Sequence, residues 1–280
     1  MATWTALTHV AGQDRAEALQ THAEEVLLPE PFGSGVFEIE DGNGRWEVGF
    51  YFTDPPDEVA LALLAAAPSV FADDLVLGVR AGPDSMDPHW STLGGQAEAL
   101  RHVFDTLLDA DENLQLKPSL AVSWEPIDDT TWEFKLREGV KFHNGEDFTA
   151  NDVKFSIERI PEVTGPMPMT LYTKYVDTVE VVDDLTLRIR TKGTAPSLPN
   201  DFTRLFIVPE STGMEARNEE FNSGEATIGT GPYRFVSWTP GETLKLQAWD
   251  GYWGEQPEFD DVTVRYISNP AARVAALMSG

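Results

Sequence analysis

Polar and apolar residues alternate with the period of a β-strand in several short runs of this chain and follow a helical period in only a few. The clearest case is Tyr233, Phe235 and Ser237 against Arg234, Val236 and Trp238, answered by Leu244, Leu246 and Ala248 against Lys245 and Gln247. Thr239-Pro240-Gly241-Glu242 supplies the turn between them. This predicts a β-hairpin entered through Gly229-Thr230-Gly231-Pro232 and left through Trp249, Tyr252 and Trp253. Trp132, Phe134 and Leu136 form a second strand, returning through Val140 and Phe142, and Val176 to Thr191 reads as a hairpin around Asp183-Asp184. Leu75–Val79 is expected to be a short buried strand and Val262–Ile267 another.

Beyond residue 72, helical spacing is found in three places. Ala99, Leu100, Val103, Phe104 and Leu107 predict a helix from Gly95 to Leu108. Val153, Phe155 and Ile157 predict one from Ala150 to Arg159, opened by a capping box of Thr149 and Asp152. Asn269 and Pro270 stand at the N-cap and N1 of a third, with Arg273, Ala276 and Leu277. Between these, residues 161–168 are dense in Pro and Gly and read as a loop, and residues 213–227 are polar and expected to be exposed.

Residues 1–58 read as a small α+β unit. Trp4, Ala6 and Leu7 mark a strand, residues 13–28 carry Ala16, Leu19, Ala23, Val26 and Leu27 on one helical face, and Val36–Glu40 and Trp46–Phe52 flank an Asp41-Gly42-Asn43-Gly44 turn. That is half of a ferredoxin-like pattern. Residues 59–72 begin with an uninterrupted apolar run, Val59 to Ala67. Val70 and Ala72 fit a signal-peptidase site cleaving between Ala72 and Asp73, whereas Asp54, Asp57 and Glu58 stand where a signal peptide carries positive charge. The run reads equally as a buried helix of the N-terminal unit, and it is too short to span a bilayer.

Composition narrows the function. With 280 residues and 41% hydrophobic content the chain can build a core in one large domain or two. A formal charge of −27 excludes nucleic acid and anionic membrane surfaces as partners, since both recruit positive charge. There is no cysteine, and the five histidines lack ligand spacing, so no metal and no cofactor is expected. Asp128-Asp129, Asp183-Asp184 and Asp260-Asp261 fall at turns or strand edges, without a nucleophile-base arrangement or P-loop. The chain does not read as an enzyme.

From Asp73 onward the sequence resembles the extracellular solute-binding proteins of the dipeptide, oligopeptide and nickel class of ABC importers. GTGPYRF, its spacing to DGYWGEQPEFDDVTVRYI, and the run from LQLKPSLAVSWEP to VKFSIER carry the likeness. The resemblance implies an α/β fold, most of lobe one of a periplasmic-binding-protein type II fold over residues 73–267, with an inserted subdomain at about residues 105–226. Residues 268–280 would begin a second lobe that the chain does not contain. It implies a periplasmic protein whose partners are a peptide or other small solute and the membrane subunits of an ABC transporter. Trp90, Ser91 and Thr92, just after the Asp87-Pro88 turn, would face the solute, and Gly229, Thr230 and Gly231 would line the hinge side. A lobe without its counterpart closes on nothing, so peptide affinity no tighter than about millimolar, roughly −4 kcal/mol, is expected.

TWTALT and VFEIEDGNGRWEVGFYFTDPPDE resemble the N-terminal segment of the methyltransferase that modifies a ribosomal protein of the large subunit. The likeness spans residues 1–67 and implies a ribosomal protein as partner. No acidic Gly-x-Gly loop after a strand follows, so the methyl-transfer chemistry is not encoded. The alternative function is therefore a recognition module without its catalytic domain. The two resemblances meet within LALLAAA, which suits both parents, and imply a chimeric fusion. If the apolar run does not serve as a signal, the expected location is cytoplasmic.

Overall fold

The computed structural model describes residues 4–11, 33–38, 45–52, 74–167 and 169–279. The expected helix at 13–28, the apolar run 59–72 and the cleavage pair Ala72 and Asp73 lie outside the described residues. The chain divides into two compact units, Met1–Leu75 and Val76–Gly280.

In the first unit, β1 (Trp4–Ala11), β2 (Gly33–Glu38) and β3 (Arg45–Phe52) form a sheet of order β1-β3-β2. β2 and β3 are the hairpin expected around the Asp-Gly-Asn-Gly turn, in a register running from Glu38↔Trp46 to Gly33↔Tyr51. β1 also pairs with β3 antiparallel, from Trp4↔Phe52 to Ala11↔Arg45, so β3 lies between two strands that run parallel to each other. Order and strand directions are those of the expected ferredoxin-like half.

The second unit holds two four-stranded sheets. One has the order β11-β12-β13-β4, built from β11 (Tyr233–Thr239), β12 (Thr243–Ala248), β13 (Asp261–Tyr266) and β4 (Asp74–Val79). Its hairpin pairs Tyr233 with Ala248 and Thr239 with Thr243, as the alternation required. Leu244 and Leu246 face inward and are buried. β4 was expected to be buried and is an edge strand instead, with Val76 54% exposed.

The other sheet, entirely antiparallel, has the order β7-β8-β10-β9, from β7 (Ala121–Asp128), β8 (Thr131–Leu136), β10 (Thr186–Thr191) and β9 (Val176–Asp183). Phe134, Leu136, Leu187 and Ile189 point to one face and enter the main core with Phe142, Val153 and Phe202. Full burial of such side chains contributes about 1.5–3 kcal/mol each, which is why the strands with the cleanest alternation lie at the centre.

Three helices decide where functional groups end up. α1 (Gly94–Leu100) is shorter than expected. The Val103 and His102 carbonyls are taken by the N–H groups of Gly231 and Tyr233, both at 3.0 Å, and this pairing replaces the helical ladder. α2 (Ala150–Arg159) matches its expected bounds and has the capping box, with Thr149 N–H donating to Asp152 Oδ2 at 2.8 Å; Thr149 Oγ1 also accepts from Asn151 N–H at 3.3 Å. After two short turns of helix, α3 (Thr170–Thr173) and α4 (Leu198–Asp201), α5 (Asn218–Ser223) brings Phe221 into the interior from a stretch expected to be exposed. α6 (Pro270–Ser279) is capped by Asn269 Oδ1, which accepts from Ala271 and Ala272 N–H.

Candidate functional site

The segment Ser85–Thr92 is pinned from beneath by a buried ion pair. Arg159, last residue of α2, donates through Nη1 to Asp87 Oδ1 at 3.0 Å and through Nη2 to Asp87 Oδ2 at 2.7 Å. Both residues are all but inaccessible to solvent, 1% exposed each. Nη1 also reaches His89 Nδ1 at 3.0 Å and Nη2 the Ala216 carbonyl at 3.1 Å, while Phe221 lies against the guanidinium face at 4.6 Å. With Nδ1 accepting, His89 Nε2–H donates to the Phe206 carbonyl at 2.9 Å. Burial, together with the neighbouring Arg159 charge, pushes the His89 imidazole down to about 4 and keeps it neutral.

The same segment is held by backbone-directed side chains. Asp87 Oδ1 accepts from His89 N–H at 2.9 Å, Gln96 on α1 donates to the Asp87 carbonyl at 2.9 Å, and Asn222 on α5 accepts from Met86 N–H at 2.9 Å. Ser85 Oγ donates to Asn218 Oδ1. The turn is thus fixed from α1, α2 and α5 together, and fixed walls suit recognition.

The three residues expected to face solute occupy distinct positions on this pinned turn. Trp90 is half-buried and lines a cavity of about 400 Å³ with Asp87, Arg159, Glu162, Arg217 and Asn218. Ser91 is buried, bridges to Met167 in parallel, and its Oγ accepts from Leu93 N–H at 3.2 Å. Thr92 is half-buried and donates its N–H to the Met167 carbonyl at 3.1 Å. Gly165 makes that approach feasible, because a Cβ there would overlap the Trp90 carbonyl.

Gly229, Thr230 and Gly231 are placed elsewhere, enclosed by protein. Thr230 is wholly buried, a Cβ on Gly229 would overlap the Val103 carbonyl, and one on Gly231 would come within 2.7 Å of the Val103 carbonyl carbon. His143 clips the same loop: Gly229 N–H donates to Nδ1 at 3.3 Å, and Nε2–H donates to the Gly231 carbonyl at 3.0 Å. The cavity at Trp90 thus has one aromatic wall among mostly polar and charged side chains, and the glycine loop is not part of its lining. No cluster of three metal-ligating side chains occurs among the described residues. Sequence reasoning located Asp87 in a turn and Arg159 at a helix end, but not their pairing.

Residues 115–280 match the family of bacterial extracellular solute-binding proteins, family 5 (middle). The chain belongs to that family. It is 30% identical over 224 residues to the glutathione-binding protein GsiB of Pectobacterium atrosepticum, covering 78% of this chain and 43% of that protein. Two solved structures superpose over 74% of the chain: NikZ from Campylobacter jejuni in complex with Ni(L-His), at 27% identity, TM-score 0.67 and 42% of its own length, and the ABC transporter-associated periplasmic binding protein DppA from Helicobacter pylori with the peptide STSA, at 28% identity, TM-score 0.64 and 45% of its length. These relatives are binding proteins and not enzymes, and this chain spans less than half their length. The fold of the second unit is accordingly that of the type II periplasmic binding proteins. No helix among the described residues is long and apolar enough to cross a membrane. The methyltransferase likeness of residues 1–67 rests on sequence alone.

Proposed function

We propose that the chain provides lobe one, over residues 73–267, of the solute-binding component of a periplasmic ABC importer for peptides or similar small solutes, with residues 268–280 leading into a second lobe. The observation that carries this is the pinned turn whose Trp90 lines a cavity of about 400 Å³, in a chain of the solute-binding family. Ligands named for its relatives, glutathione, a short peptide and a nickel–histidine complex, are all small and built from amino acids. In this reading Trp90 and Thr92 face the solute, Ser91 is buried between them and holds the turn, and the enclosed loop Gly229, Thr230 and Gly231 is a support on the hinge side. The alternative, docking of a ribosomal protein by residues 1–67, has no observation among the described residues in its favour.

The test is a titration of the isotope-labelled chain with glutathione, a tetrapeptide and nickel–histidine, read on the tryptophan indole N–H signals. The Trp90 signal is expected to shift with at least one of them at an affinity of about millimolar, since a single lobe leaves the solute wet on its other face. Trp90→Ala is expected to abolish binding while leaving the other indole signals in place. Shifts confined to tryptophans other than Trp90 would refute the placement of the site.

A further inference from the structure

The cavity beside Trp90 carries an unbalanced charge. Its two buried charged residues, Asp87 and Arg159, are bound to each other and cancel. The charge the cavity presents comes from four exposed side chains: Glu162 on the turn after α2, Glu215 in the loop before α5, and Arg217 and Glu219 at the start of α5. None of the four forms an ion pair with another described residue. Three carboxylates against one guanidinium leave two negative charges uncompensated. Glu215 is also held in position. Gly213 has a φ of 78°, and a Cβ there would lie 2.7 Å from Glu215 Oε1, so this carboxylate rests against a glycine that makes room for it.

Two further groups at this cavity are unanswered. Arg137 lies over the Trp253 ring at 4.3 Å, Arg159 over Phe221 at 4.6 Å and Arg234 over Trp249 at 5.6 Å. Among the described residues no cation lies over Trp90, although its ring is the aromatic wall of the cavity. Arg159 is 1% exposed, and its Nε has no hydrogen-bond partner among the described residues. An open aromatic face, surplus carboxylates and a spare donor match a molecule that carries a cationic group together with hydrogen-bond acceptors.

We propose that this cavity selects positively charged solutes, namely short peptides bearing a lysine or arginine side chain, with the cationic group on the Trp90 face among Glu162, Glu215 and Glu219. This rests on the reading of the cavity as the solute site. A cation gains from the negative face of the indole and from the carboxylates around it, and the concave wall focuses their field. An anionic side chain meets the same charges as repulsion. Arg217 works against the preference and limits it. Water reaches all four exposed groups, so the effect is a ranking among solutes and not an absolute exclusion.

The chain as a whole is strongly acidic and attracts any cation, so the test must separate the cavity from the overall charge. The Trp90 indole N–H signal of the isotope-labelled full chain is followed during titration with Gly-Lys-Gly, Gly-Gln-Gly and Gly-Glu-Gly, which share their termini and differ by one charge at each step. Affinity is expected to fall in that order, with Gly-Lys-Gly bound roughly tenfold more tightly than Gly-Glu-Gly at low salt, and the ranking is expected to narrow as salt is added. Combining Glu162→Gln, Glu215→Gln and Glu219→Gln is expected to remove the ranking. A control takes three exposed carboxylates from hairpin turns: Glu112→Gln between β5 (Leu108–Ala110) and β6 (Leu116–Pro118), Asp129→Asn between β7 and β8, and Asp184→Asn between β9 and β10. It removes the same number of charges and is expected to keep the ranking. Arg217→Gln is expected to widen it roughly threefold. Equal wild-type affinities for the three peptides, or a control that loses the ranking as fully as the cavity variant, overturns the proposal and leaves the solute site standing. Should the cavity variant not fold, Arg217→Gln decides, and an unchanged or narrower ranking overturns the proposal. A Trp90 signal that moves with none of the peptides removes the solute site and the proposal with it.

Discussion

Arg159 shows what one residue can hold in place. Four hydrogen bonds and an aromatic face converge on it, and its partner carboxylate is as inaccessible as the guanidinium itself. Arg159→Leu strands the Asp87 charge in the interior, and a loss of about 3–5 kcal/mol in urea unfolding is expected. Lys141→Ala also removes an ion pair, to Asp147 at 2.6 Å, but those side chains are 52% and 74% exposed, so a loss under about 1 kcal/mol is expected. Equal losses for the two variants would show that the buried pair has no special role. Position along the chain hid this contrast. Asp87 was legible as a turn residue and Arg159 as the end of an apolar-faced helix, but their side chains meet 72 residues apart, and no local pattern reports a long-range pair. Asp105 is less legible still, because its two donors, Thr230 and Trp253, stand 125 and 148 residues further along the chain.

Elements were more readable than residues wherever their own pattern decided their form. α2 kept its expected bounds because cap, apolar face and end are all written into ten residues. The hairpins of β9 with β10 and β11 with β12 were legible for the same reason, since turn and alternation lie next to each other. α1 was overestimated because its carbonyls at 102 and 103 bind a loop from far along the chain. Glycines test this distinction. Gly95 sits within α1 with nothing near its missing Cβ, so Gly95→Ala is expected to stabilise by about 0.5–1 kcal/mol. Gly229→Ala forces a methyl group onto the Val103 carbonyl and is expected to destabilise by about 1–3 kcal/mol or more. Thermal unfolding of both variants checks the opposite signs, and a neutral Gly229→Ala would mean that the loop can move off the backbone it touches.

Across the whole molecule, 47 acidic residues against 20 basic ones make the chain repel itself. Salt shortens the reach of that repulsion, from about 10 Å at 0.1 M to about 3 Å at 1 M. The urea midpoint is expected to rise over that range, and a fall would indicate that specific ion pairs outweigh the net charge. The side-by-side crossing at His102–Asp105 and Gly229–Tyr233 bears on how such a chain can change over generations. Everything between the two stretches enters and leaves through one doorway, and no pairing of the β11-β12-β13-β4 sheet passes through the block they enclose. An exchange of that block has two seams to respect, the crossing itself and the bonds from Arg159 and Asn222 that hold the Ser85–Thr92 turn, while the sheet keeps its strand order throughout.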